Sequence, residues 1–228
     1  MTQADKPAAN PASIHAYILL DRTGSMSGIW TEALSSVNAY AEALATPEAG
    51  APPPVPTDVT LALFDHHDGL KFDLIRRSVA AATWTRVGED EASPRGMTPL
   101  YDALARIVAL AEGDKPDKAI IVVMTDGQEN ASAEVTKEGA KAALDRVRAK
   151  GWEVVFLGAE FAKFDDADAV GVIRGKSMAM SSGTFDTSMR KLAAKSRNFF
   201  ADEAQAVNFD DEDRREAGEE DVKRRKGS

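Results

Sequence analysis

Cysteine is absent from the sequence, and histidine occurs only three times in 228 residues. The absence of thiols excludes disulfides, thiolate catalysis, iron–sulfur clusters and cysteine-based zinc sites. Nothing in the sequence requires an oxidising compartment, and no hydrophobic leader follows Met1, so we expect a cytoplasmic protein. No apolar run approaches the ~20 residues that a membrane span requires, so no membrane partner is expected.

Positive charge is also scarce, because 28 Lys and Arg stand against 37 Asp and Glu, a net charge of -9. Nucleic-acid binding depends on a dense field of basic side chains, so nucleic acid is not expected as a partner. The 43% of hydrophobic residues and 29% of charged residues are typical of an ordinary globular protein. The length suits one well-cored domain.

The two ends of the chain differ in composition from the middle. Residues 1–13 are small and polar, which predicts a flexible N-terminus. Residues 206–228 are dense in charge and nearly free of large apolar side chains, which predicts a disordered tail. The sequence therefore predicts a single domain over residues 14–205.

Short apolar runs alternate with segments of helical spacing throughout that domain. The strand-like runs lie at 15–20, 59–64, 70–75, 119–124 and 153–158, with a weaker one within 170–180. Helical spacing lies between most of them, including a short helix near 161–169 and a last helix over 185–200. This alternation predicts a Rossmann-like α/β fold, with a six-stranded, mainly parallel sheet and helices on both faces. The Asp68-Gly69 turn predicts a hairpin that places one antiparallel strand at an edge.

Side chains with oxygen donors follow the predicted strands at three places. Asp21, Thr23 and Ser25 come directly after the first strand, Thr98 lies in Gly-Met-Thr-Pro-Leu, and Asp126 follows the most apolar strand. Ligand sites in open α/β sheets form beyond the carboxyl ends of the strands, so these oxygens are expected to converge. Hydroxyls and carboxylates without imidazole or thiolate suit a hard cation, Mg²⁺ best, with Mn²⁺ or Ca²⁺ also acceptable.

The charge of this donor set points to a further ligand. Thr23, Ser25 and Thr98 are neutral, so Asp21 and Asp126 can at most balance a divalent ion. If either carboxylate stands behind a water molecule, the ion keeps positive charge. An acidic group from a partner then becomes the natural sixth ligand.

The three motifs resemble the von Willebrand factor type A (vWA) domain, whose metal ion-dependent adhesion site is written D-x-S-x-S, then a Thr, then an Asp. The resemblance covers roughly residues 14–200, and Thr23 stands where that pattern usually has Ser. It is strongest to stand-alone intracellular vWA proteins of bacteria and phages, where Asn130 fits Thr-Asp-Gly-x-x-Asn. It implies that Ser25, Thr23 and Thr98 ligate through hydroxyls while the aspartates act through water or hydrogen bonds.

The resemblance also implies a function. Members of the family bind proteins and peptides through the metal, and most are not enzymes. We therefore expect a non-enzymatic module that captures an Asp or Glu side chain of a protein partner. Stand-alone domains of this kind accompany AAA+ ATPases or stress and phage-encoded systems, which suggests where a partner is found.

Other functions compete with this interpretation. Ser and Thr after strands are common helix N-caps, so a structural or assembly role with a purely structural metal stays open. A metal-dependent phosphohydrolase is the second alternative, since His66-His67 beside Asp65 resembles a phosphoesterase element, although further His clusters are lacking. An aspartyl-phosphate enzyme would need an acid where Thr23 stands.

Three side chains beside the proposed metal loops have two interpretations. Arg22 and Arg95 either solvate the loops or steer acidic partner groups toward the ion. Trp30 either covers a helix start or offers an apolar anchor to a partner.

Overall fold

The computed structural model describes residues 12–46, 53–159, 168 and 170–226. Residues 1–11 of the predicted flexible N-terminus lie outside this part, and so does nearly all of the helix predicted near 161–169. Ser13 is held, because its backbone N–H donates to Asp117 Oδ2 at 2.7 Å. Among the described residues, no helix is both long and apolar enough to cross a membrane.

Six strands and six α-helices make up the described fold. The strands are β1 (Ile14–Asp21), β2 (Asp58–His66), β3 (Leu70–Ala80), β4 (Lys118–Thr125), β5 (Glu153–Ala159) and β6 (Ser177–Met180). The helices are α1 (Trp30–Ala45), α2 (Leu100–Asp114), α3 (Lys137–Ala149), α4 (Phe185–Phe200), α5 (Asp211–Glu216) and α6 (Glu219–Lys226).

The strands form one sheet in the order β3-β2-β1-β4-β5-β6. Every neighbouring pair is parallel except β2 and β3, which form the antiparallel hairpin. The predicted six-stranded, mainly parallel sheet with an antiparallel edge strand is therefore confirmed.

Burial explains why β1 and β4 lie in the middle of the sheet. All eight residues of β1 are buried. Alternate side chains point to opposite faces, so Ile18 packs in the core beneath α1 and α4, whereas Leu19 packs in the core beneath α2 and α3. A strand that is apolar on both faces is stable only where helices cover both faces, which confirms the predicted layers.

The strand order also determines where a ligand can bind. The chain runs outward from β1 through β2 to β3 and then returns to place β4 on the other side of β1. Connections therefore leave β1 and β4 in opposite directions at their carboxyl ends, which opens a crevice between them. Asp21 ends β1, and Thr125 ends β4 directly before Asp126.

The predicted disordered tail is wrong for the described residues of 206–228, which carry α5 and α6. Asp210 caps α5 by accepting from the backbone N–H groups of Glu212 and Asp213. Arg214 and Glu219 form a buried ion pair at 2.7 Å. The segment also inserts apolar side chains into the core around α4 and β6, namely Val207, Phe209 and Ala217. The ordered fold thus continues beyond residue 205.

One buried histidine makes stability depend on pH. Burial lowers the pKa of His15 from an ordinary 6.5 to about 4. The Thr60 hydroxyl accepts from the Ser78 N–H at 3.0 Å, so its own hydrogen is available to His15 Nε2, which lies 2.8 Å away. Neutral His15 therefore fits its site as a hydrogen-bond acceptor.

We expect acid to destabilise the fold through His15. Below pH 6.5 the unfolded chain gains a proton that the native state refuses until about pH 4. The stabilisation is complete above pH 6.5 and decreases as the pH is lowered, by roughly 1 kcal/mol between about pH 7 and about pH 5.5. Urea unfolding of wild type and His15→Gln at both pH values measures the effect as a difference between the two proteins, because Asp21, whose pKa is raised to about 7, titrates in both with the opposite sign; relative to the variant, the wild type should lose stability on acidification. An equal loss in both proteins would show that His15 is not responsible.

Candidate metal centre

Three hydroxyl groups meet at the crevice between β1 and β4. Thr23 Oγ1 lies 3.1 Å from Ser25 Oγ and 3.4 Å from Thr98 Oγ1. Thr23 and Ser25 belong to the loop that leaves β1, where a short 3₁₀ helix over Gly24–Gly28 turns the chain toward α1. The structure therefore brings together hydroxyls that are 75 positions apart in sequence.

Both predicted carboxylates lie at this cluster. Asp126 Oδ1 accepts from Ser25 Oγ at 2.7 Å. Asp21 is fully buried and joins two strand ends, because one oxygen accepts from the Thr23 N–H at 2.7 Å and the other from Thr125 Oγ1 at 2.5 Å. All five predicted site residues are thus assembled at one edge of the sheet.

The local environment of Asp21 differs from that of an exposed carboxylate. Burial raises the pKa of Asp21 to about 7, against the opposing effect of its hydrogen bonds from Thr125 and Thr23. The negative charge of Asp126 makes a smaller contribution to this rise. A buried carboxylate and a half-buried one at the same site favour a nearby cation, which would stabilise the ionised form of both.

Two glycines allow the loops to approach one another. A Cβ atom at Gly127 would lie 2.6 Å from Thr98 Oγ1, so only glycine leaves that hydroxyl in place. Gly96 has a φ of +71°, and a Cβ atom there would lie 2.3 Å from the His66 carbonyl oxygen. The close contact of the loops on which the hydroxyl cluster depends is therefore set by backbone packing.

Further residues that sequence reasoning missed hold the loop after β4. Asp102 lies in the first turn of α2 and accepts from the backbone N–H groups of Ala133, Glu134 and Val135. Glu129 accepts from the Tyr101 N–H at 3.0 Å. Sequence alone places Asp102 in the first turn of a helix, where an acid is favoured by the helix dipole, and nothing near it indicates the distant loop amides from which it accepts.

Asn130, noted from the sequence, connects the second and third loops. Its side-chain oxygen accepts from the Thr98 N–H at 2.9 Å, and its own N–H donates to the Thr98 carbonyl at 3.1 Å. This pair of bonds fixes the backbone of Thr98 at the point where its hydroxyl meets Thr23.

The donor set fits a hard divalent cation. Mg²⁺ binds oxygen at 2.0–2.1 Å in an octahedron, so adjacent ligands lie about 3.0 Å apart. The hydroxyl spacings of 3.1 and 3.4 Å are close to that value. Within the described part of the chain, no group of three His, Cys, Asp or Glu side chains could hold a metal, so any site here depends on hydroxyls.

The structure shows which of the three side chains beside the proposed metal loops can reach a partner. Trp30 is buried and donates from Nε1 to the Ala92 carbonyl at 2.9 Å, so it covers the start of α1 and cannot anchor a partner. Arg22 is also buried, which excludes direct steering of a partner. Arg95 remains 44% exposed. Arg22 contacts the Asp65 carboxylate, His67 lies in the hairpin turn, and no metal-holding group of His, Asp or Glu forms there among the described residues, so the structure adds no support for the phosphoesterase interpretation.

Several solved structures share the architecture of this chain. The pilus adhesin SpaC from Lactobacillus rhamnosus GG, in its open conformation, aligns with a TM-score of 0.63 over 83% of this chain at 13% identity. The vWF domain of the type V pili tip protein Mfa5 from Porphyromonas gingivalis aligns with 0.54 over 81% at 9% identity. A von Willebrand factor type A protein from Catenulispora acidiphila aligns with 0.53 over 82% at 15% identity. The chain has the vWA fold.

The share of each neighbouring protein that aligns with this chain differs widely. This chain spans 31% of SpaC and 43% of the Catenulispora protein, but the alignment covers 95% of the Mfa5 domain. No protein-family profile and no curated protein sequence matches it. At identities of 9–15% the likeness concerns the fold alone. The vWA fold predicted from the three motifs is thereby confirmed.

Proposed function

We propose that this vWA domain binds a protein partner through a divalent metal ion, which captures an acidic side chain of that partner. Mg²⁺ is the proposed ion, with Mn²⁺ or Ca²⁺ as substitutes, and the proposed site consists of Asp21, Thr23, Ser25, Thr98 and Asp126. The observation that carries the proposal is the convergence of the three hydroxyls at 3.1 and 3.4 Å beside two carboxylates.

Charge explains why the partner group is acidic. The three hydroxyls contribute no negative charge. Both oxygens of Asp21 already accept hydrogen bonds, one from Thr23 and the other from Thr125. An ion held mainly by the hydroxyls and Asp126 keeps positive charge that the protein does not balance. A carboxylate from outside supplies both the charge and an oxygen ligand.

The surface around the site suits a protein more than a small molecule. Met97, directly before Thr98, is 51% exposed, and its backbone is paired with His66 on β2. Arg95 lies two residues before it, with its guanidinium partly exposed. An apolar side chain and a cation beside a metal give a partner surface both packing and charge contacts.

The neighbours' own names support binding over catalysis. SpaC is a pilus adhesin, and Mfa5 is a pilus tip protein. A role for the hydroxyls as metal ligands would also leave none of them as a nucleophile. We therefore propose a non-enzymatic module, and AAA+ ATPase systems are the first partners to examine.

Metal should stabilise the folded protein if this proposal is right. A ligand present at 100 times its Kd adds about 2.7 kcal/mol of stability. For a chain of this length that raises Tm by about 5–10 °C. Thermal unfolding with saturating Mg²⁺, Mn²⁺ or EDTA, at matched ionic strength, measures the effect. A Tm that stays the same in all three solutions would contradict the proposal.

A further inference from the structure

Arg22 is a buried cation inside the proposed metal loop. It lies between Asp21 and Thr23, yet its side chain is only 6% exposed and runs toward β2 and β3, not toward the hydroxyl cluster. Its Nε donates to Asp65 Oδ2 at 2.5 Å, and a terminal nitrogen donates to Asp73 Oδ2 at 2.5 Å. The guanidinium thus bridges two carboxylates.

The backbone of Arg22 is held at the same place. Its N–H donates to the Phe64 carbonyl at 3.1 Å, and its carbonyl accepts from the Arg95 N–H at 2.8 Å. Two residues after Arg22, the Gly24 N–H donates to the carbonyl of Gly96, the residue after Arg95, at 3.2 Å. Anchoring Arg22 therefore fixes the first metal loop relative to the segment that carries Thr98.

Asp65 makes this anchor rigid. Its carboxylate is fully buried, and its Oδ1 has no hydrogen-bond partner among the described residues. A buried carboxylate needs a counter-charge, and Arg22 supplies the shortest contact, while Arg95 Nε lies 3.4 Å away. Two different nitrogens of the planar guanidinium donate to Asp65 and Asp73 at fixed angles, a geometry that the single ammonium of lysine does not reproduce.

We propose that Arg22, through Asp65 and Asp73, is a positioning residue that fixes the hydroxyl spacing and makes the site selective for Mg²⁺ over Ca²⁺. This inference rests on the proposed metal-binding function. Mg²⁺ demands a near-ideal octahedron at 2.0–2.1 Å, whereas Ca²⁺ accepts irregular ligands at 2.3–2.6 Å. A loop that loses its anchor should therefore lose Mg²⁺ affinity more than Ca²⁺ affinity.

The test is the ratio of the two affinities in Arg22→Lys. Each ion displaces bound Mn²⁺ in a competition followed by electron paramagnetic resonance, with apo stability recorded by thermal unfolding. We expect about a tenfold loss of Mg²⁺ affinity, as for other outer-shell partners of metal ligands. Ca²⁺ affinity should change by less than about threefold, because its coordination is more flexible.

Arg95→Lys is the matched control, since it makes the same change at a half-exposed arginine on the same Asp65. Its Mg²⁺ to Ca²⁺ ratio should equal that of the wild type. If Arg22→Lys does not fold, Asp73→Asn removes the negative charge at the exposed end of the bridge, which weakens the anchor, and should lower the ratio in the same direction.

One result would overturn the proposal. A Mg²⁺ to Ca²⁺ affinity ratio that stays at the wild-type value in both Arg22→Lys and Asp73→Asn, whether the two affinities fall together or do not change, would show that the bridge does not position the site. Absence of Mn²⁺ binding by the wild type would instead overturn the proposed function itself.

Discussion

Asp126→Asn is expected to lower Mg²⁺ affinity by about 10–100-fold, the range seen when a group beside a metal is altered. The carboxylate supplies charge that the hydroxyls lack, and its Oδ1 accepts from Ser25 Oγ at 2.7 Å. Asparagine keeps the shape and one acceptor but removes the charge. Titration calorimetry with Mg²⁺ measures the loss.

Asp68→Asn provides the control for this prediction. Asp68 is an exposed acid in the turn between β2 and β3, at the same edge of the sheet, and its φ is 54°. Asparagine tolerates that conformation, so the variant removes one nearby charge without strain. Mg²⁺ affinity should stay within about twofold of the wild type, because an exposed charge is screened by salt. Equal losses of Mg²⁺ affinity in Asp126→Asn and Asp68→Asn would mean that Asp126 contributes only long-range electrostatic attraction.

The sheet could be predicted from local sequence patterns, because strands that are buried on both faces consist of consecutive apolar residues. β1 and β4 are apolar on both faces. The Asp68-Gly69 pair is typical of a tight turn, so it indicates the hairpin without reference to any distant residue. The convergence of two of the proposed site residues could be predicted for the same reason. Two of the three proposed metal loops begin where a buried strand ends, so Asp21 and Asp126 could be placed at one edge without knowing any tertiary contact.

The parts that sequence reasoning missed depend on contacts between distant residues. Arg22 lies 43 and 51 positions from its partners Asp65 and Asp73, and nothing near Arg22 indicates that it is buried. The C-terminal segment has few apolar residues, widely spaced, so no amphipathic period appears. Its order comes from Val207 and Phe209 entering a core made by other elements and from the Arg214–Glu219 pair.

Thr98→Asp should separate metal binding from partner capture. The hydroxyl of Thr98 faces Thr23 at 3.4 Å, and the backbone of Thr98 is fixed by Asn130. An aspartate at this position would place a carboxylate among the metal ligands, where it takes the role proposed for the partner's acid. Metal affinity should stay the same or rise, while capture of the partner is lost.

Thr98→Ser is the matched control, because it keeps the hydroxyl and removes only a methyl group. The assay is a pull-down from a lysate of the source cells with wild type, Thr98→Asp and Thr98→Ser, each with Mg²⁺ and with EDTA. Wild type and Thr98→Ser should recover the same proteins with Mg²⁺ and lose them with EDTA, whereas Thr98→Asp should recover none of them in either solution. A phosphohydrolase would behave differently, since Thr98→Asp would change its turnover of phosphate esters with no dependence on an acidic partner residue. Recovery of the same proteins by the wild type and both variants, with and without metal, would show that partners bind elsewhere on the domain.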